Sequence, residues 1–107
     1  MCFFKKKPTV DKVKEDHNLL LANEKELRFL AEIEREETLK AELERFVKEV
    51  AYIAPSSDAN IQAQDKKIGN LIGDYKILAM KSSSEKEKKE EAARKLEMAL
   101  AARKNAH

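Results

Sequence analysis

The sequence predicts an all-α protein, built as a long antiparallel helical hairpin or three-helix bundle with coiled-coil-like packing. Three observations carry that expectation. No stretch of any length alternates with period two, so no sheet is predicted. Breakers are scarce, with two prolines and two glycines in 107 residues. Apolar residues recur instead at helical spacing, most clearly at Leu39, Leu43, Phe46, Val50 and Ile53. That alternation of four- and three-residue steps is an a/d seam.

Residues 1–8 read as a tail and 9–107 as one helical domain. Thr9 suits an N-cap after Pro8, and Pro55 pushes Ala54 out of the α region. One helix is therefore expected over 9–53. Its Glu24–Arg28, Glu36–Lys40 and Glu44–Lys48 pairs stand at i, i+4 in the favourable order, each contributing about 0.2–0.5 kcal/mol. Unbroken, such a helix would be about 68 Å long at roughly 1.5 Å per residue. A compact domain of this length has a radius of gyration of only about 13 Å. The molecule is then elongated, or the helix breaks. The alternative to one helix is a break near Ala22–Asn23, where Asn23 and Glu26 approximate a capping box and the seam of Val13, Leu20 and Leu27 is interrupted.

After Pro55, Ser56-Ser57-Asp58 reads as a turn and N-cap. A second helix is expected over 58–81, with Ile61, Ile68, Leu71, Ile72, Tyr75, Leu78 and Ala79 as its stripe. Helix one is expected to pack antiparallel against it. Ser82-Ser83-Ser84 marks the next break, and Ser84 with Glu87 forms a capping box for a third helix over 85–105. Leu96, Met98 and Leu100 are its large apolar residues; alanines supply the rest.

Leu, Ile, Val and Phe together make only 25 residues, and 14 more are Ala. So thin a core predicts self-association, as a dimer or with another helical protein. Charge is abundant and balanced, 22 basic against 20 acidic residues. Interspersed charge of this kind marks solvated helix faces, and it argues against nucleic acid as a partner. Cys2 is the single cysteine, which excludes an intrachain disulfide and makes a reducing cytoplasm the simplest compartment. No stretch approaches the ~20 apolar residues of a membrane span, and the N-terminus has no secretory h-region.

The chemistry-bearing residues are few. Of two histidines, His17 is preceded at i−3 by Lys14 rather than the Glu of a Glu-x-x-His metal motif, and His107 is terminal. Serines cluster at turns, where capping explains them, and Cys2 is terminal. Glu32 and Glu36 share a helix face and read as solvated. Gly69 and Gly73 lie inside a helical pattern, not after a strand, so they form no phosphate loop. No catalytic, cofactor-binding or metal-binding residue is assigned, no cofactor is expected, and the chain is read as not an enzyme.

What remains are surfaces. The candidate interface joins Leu39, Leu43, Phe46, Val50 and Ile53 to Ile68, Gly69, Ile72, Gly73 and Tyr75. Gly69 and Gly73, four residues apart, mark either a close helix approach or a kink. The expected function is a small non-catalytic protein–protein interaction protein, acting as scaffold, adaptor or regulatory subunit. The alternative is a peripheral membrane protein using Cys2-Phe3-Phe4-Lys5-Lys6-Lys7, with Phe3 and Phe4 entering the interface. Lys5, Lys6 and Lys7 would each add about 1 kcal/mol near acidic lipid, although such clusters usually hold roughly four to eight basic residues.

Overall fold

A computed structural model describes residues 8–81 and 86–106. The protein is all-helical and compact, with a radius of gyration of 15.7 Å. Four helices make up the described residues: α1 (Pro8–Ile33), α2 (Glu37–Ala51), α3 (Ala59–Ala79) and α4 (Lys86–Lys104). No strand occurs among them.

Each helix is amphipathic by the same rule, one inward residue every three or four positions. In α2 the stripe is Leu39, Leu43, Phe46 and Val50, all buried. In α3 it is Ile61, Asp65, Ile68, Ile72 and Tyr75. In α4 it is Ala93, Leu96, Leu100 and Arg103. In α1 it is Asp16, Leu20, Asn23, Leu27, Leu30 and Glu34, each at most 5 % exposed. Polar residues therefore sit inside the seams, at Asp16, Asn23 and Glu34 on the first helix and its end, at Asp65 on α3 and at Arg103 on α4.

The single helix expected over 9–53 is two helices. The break is at Glu34-Arg35-Glu36, not near Asn23, and no proline or glycine causes it. The Glu34 carboxylate turns back to accept a hydrogen bond from the Glu36 backbone N–H at 3.1 Å. Lys40, expected to pair with Glu36, instead sends its Nζ to the Ala31 carbonyl at 2.6 Å. That carbonyl is one of the last four of α1, which have no partner within their own helix. Asn23, far from capping anything, is buried in mid-helix and donates its Nδ2 to the Asp65 carbonyl at 3.1 Å.

The later boundaries follow local signals. Asp58 caps α3 by accepting from the backbone N–H groups of Asn60 at 2.8 Å and Ile61 at 3.2 Å. This satisfies two donors that the first turn would leave open. The Ser84 part of the expected capping box lies outside the described residues.

α1 packs against α2 and α3, and α4 packs against α3 and α2. Asn23 meets Asp65 and Glu34 meets Tyr75, so α1 and α3 run in the same sense. The expected antiparallel packing of these two segments is thus reversed. The reason is the turn at 34–36, which brings the chain back once before α3 begins. α2 and α3 share no packing face. Residues 52–58 must therefore cross the end of the molecule as a strap.

The two glycines of α3 differ sharply. A Cβ on Gly69 would lie 2.9 Å from Asn23 Oδ1, whereas a Cβ on Gly73 would meet nothing within 4 Å. Replacing Gly by Ala in a helix interior gains about 1 kcal/mol where space allows. Gly73→Ala should therefore raise the urea-derived unfolding free energy by about 1 kcal/mol. Gly69→Ala should leave it unchanged or lower it, because the amide that must move is buried and bonded. Equal gains for both variants would contradict the close approach of α1 to Gly69.

Candidate functional site

A groove of about 510 Å³ lies between α1 and α2. Its floor is Ala31 and Val47, both nearly buried, small enough to keep the groove open. Ala51 and Tyr52 close one end. Arg28 and Glu32 stand on the α1 rim, and Lys40, Glu44 and Lys48 on the α2 rim at four-residue steps. Tyr52 is the C-cap of α2 and is 90 % exposed, the most exposed large apolar residue described. Leu21, half exposed, lies seven residues before Arg28 and so on nearly the same line of α1.

At one end of the molecule sits Glu34. It is buried, and three donors converge on its carboxylate: Tyr75 Oη from α3, Lys89 Nζ from α4 at 2.8 Å, and the Glu36 N–H. Burial opposes its ionised form, but the Lys89, Tyr75 and Glu36 bonds outweigh burial and hold it below the ordinary value of 4.5. The Tyr75 hydroxyl is pushed up by the same burial and by Glu34.

At the other end, Asp16, Asp65 and Arg103 are buried together. Arg103 Nε donates to Asp65 Oδ1 at 2.8 Å, and its Nη2 lies 3.8 Å from Asp16 Oδ2. Both partners also hold the strap. Ser56 N–H donates to Asp16 Oδ2 at 2.8 Å, and Arg103 Nη2 donates to the Ala54 carbonyl at 2.7 Å. Burial, and then the neighbouring Asp16 carboxyl, push Asp65 from 3.8 up to about 6 against the pull of Arg103.

The residues singled out from sequence fall elsewhere. Leu39, Leu43, Phe46, Val50, Ile68, Ile72 and Tyr75 lie in one core within the chain, with Ile53 packed against it. Together they form an interior, not an outward face. Gly69 faces Asn23 and Gly73 faces open space. His17 is exposed on α1. Phe3, Phe4, Lys5, Lys6 and Lys7 lie outside the described residues. Among the described residues, no cluster of three or more His, Cys, Asp or Glu could hold a metal ion, and no helix is long and apolar enough to cross a membrane.

Sequence reading missed Asp16, Glu34, Asp65 and Arg103. The signal was present. Each continues the four-and-three spacing of an apolar stripe, and a charged residue in a seam position needs a charged partner from another helix. No protein-family model, curated protein or solved structure matches the chain.

Tyr75→Phe removes one of three donors from a buried carboxylate. Hydrogen bonds to charged groups contribute about 1.5–3 kcal/mol, and the unfolding free energy at neutral pH should fall by about that amount. Because Glu34 is held low in the folded state, its contribution is present above the ordinary value and is lost as pH falls through the lowered one. The stability difference between wild type and Tyr75→Phe should therefore shrink in acid. A difference that is constant with pH would show that the hydroxyl does not act on the carboxylate.

Proposed function

We propose that the protein is a small non-catalytic helical interaction protein, a scaffold, adaptor or regulatory subunit. In this reading α1–α2 and α3–α4 are two helical hairpins forming one bundle. The groove between α1 and α2 receives an amphipathic helix of a partner protein. The observation that carries the reading is Tyr52. An aromatic ring 90 % exposed at the end of an apolar-floored groove is the kind of side chain that anchors interfaces.

The occupant follows from the rims. Lys40, Glu44 and Lys48 stand one helical turn apart. Lys40 is turned to the Ala31 carbonyl, so a partner helix with a basic and then an acidic residue four apart would match Glu44 and Lys48, since residues four apart share a helix face. The floor of Ala31 and Val47 then takes the apolar stripe of that helix, the usual arrangement of a helix in a groove. Self-association through the Leu39–Val50 stripe is not part of this reading, because that stripe is already covered by the chain's own helices.

Helical peptides selected by display against the full chain test the reading. The selected binders should weaken about tenfold or more on Tyr52→Ala, and on Lys48→Glu unless the peptide carries the reversed charge. Met98, 68 % exposed on α4, is the control; Met98→Ala should change nothing. Binders indifferent to Tyr52→Ala would reject the groove. A dimer by light scattering that Tyr52→Ala dissociates would put a second copy in place of the partner helix.

A further inference from the structure

We propose that the strap at residues 52–58 is a pH-sensitive latch: Asp16 and Asp65 share one proton, and its loss leaves two buried anions competing for Arg103 and loosens the hold on Ala54 and Ser56.

Charge counting is the first ground. Asp16, Asp65 and Arg103 have side chains at most 7 % exposed. Fully ionised, the cluster holds two negative charges and one positive charge away from water. A buried uncompensated charge is costly, and the usual response is to take up a proton. Hydrogen bonding is the second ground. Asp16 Oδ1 and Asp65 Oδ2 are buried without a hydrogen-bond partner, and both carboxyls stand beside the one Arg103 guanidinium, at 3.8 and 2.8 Å. One proton between them supplies the donor that both oxygens lack.

Among the described side chains, Arg103 is the one cation paired with Asp16 or Asp65. From α1 the group is Asp16 itself; from α4 it is Arg103. The strap offers only backbone, the Ser56 N–H and the Ala54 carbonyl. Asp58, at the end of the strap, is turned to the N–H groups of Asn60 and Ile61. Lys104, the next residue after Arg103, pairs outward with Glu49 of α2 at 3.6 Å.

The direction of the effect follows. Asp65 ionises near 3.8 when unfolded and near 6 when folded. The folded state binds the proton more tightly, so this contribution to stability is complete below the lower value and is lost as pH rises through the upper one. Glu34, at the opposite end, acts in the reverse sense. Acidification therefore tightens the strap end while it weakens the Glu34 end. The released proton passes to solvent, and no other bond is made or broken.

Carboxyl-carbon and amide NMR on the full chain test the latch. In wild type, Asp65 should show a titration near pH 6, and the Ser56 amide signal should move with the same midpoint. The unfolding equilibrium constant should rise roughly tenfold or more between about pH 5 and about pH 8 from this pair. In Asp65→Asn, which supplies a permanent N–H to Asp16, the Ser56 signal should stay fixed across that range. Asp16→Asn provides the same test from the other side. An Asp65 carboxyl that ionises well below pH 6 in wild type would overturn the latch. So would a titrating Asp65 beside an unmoved Ser56 amide.

Discussion

One cation, Arg103, answers two buried carboxylates, and the closed end of the molecule depends on it. Its guanidinium starts on the last turn of α4, crosses to Asp65 on α3, approaches Asp16 on α1 and binds the strap at Ala54. α1 and α4 share no packing face, so at this end the planar, multidentate guanidinium links them, as Lys89 and Glu34 do at the other. Lysine could not do the same, because it has no rigid fork of donors. The cost of burying such a cluster is large, and its net contribution to stability is small beside an apolar replacement. Its use is to fix which helices meet and in what register.

The same device recurs at the other end with different chemistry. Glu34 is answered by one lysine, one hydroxyl and one backbone N–H, so its charge is balanced and it stays ionised. Between the two ends the core is thin, resting on leucines and isoleucines with Phe46 and Tyr75 as its large side chains. Apolar contact alone does not discriminate among slipped arrangements of similar helices. Polar residues in the seams do, because each slip strands a charge. Asn23 adds a third pin midway, and its close approach explains why position 69 on α3 is glycine.

Much of this was legible in the sequence, and the remainder has identifiable causes. Helical class, the α3 cap at Asp58 and the α4 span came from local signals that act within a few residues. The turn at Glu34–Glu36 was not legible because its one local bond, from the Glu36 N–H to the Glu34 carboxylate, forms only where Glu34 is held from elsewhere. It is held by Tyr75 and Lys89, 41 and 55 residues away, and by a lysine diverted to the end of α1. Asn23 was misread for the same reason, since its polar amide suited a cap until Asp65 and Gly69 were placed beside it. The α1–α2 groove could not be foreseen without that turn. The buried charges could have been found by asking which polar residues keep the seam's spacing.

Arg103 is placed to balance Asp16 and Asp65. A denaturation cycle at neutral pH tests it most directly, comparing Arg103→Met in wild type with Arg103→Met in an Asp16→Asn, Asp65→Asn background. Breaking a buried ion cluster by removing its cation costs about 3–5 kcal/mol. A loss of that order is expected in wild type, and a much smaller one once the carboxylates are neutral. Equal losses in both backgrounds would mean that Arg103 acts through packing and its bond to Ala54 alone, and would contradict the claim.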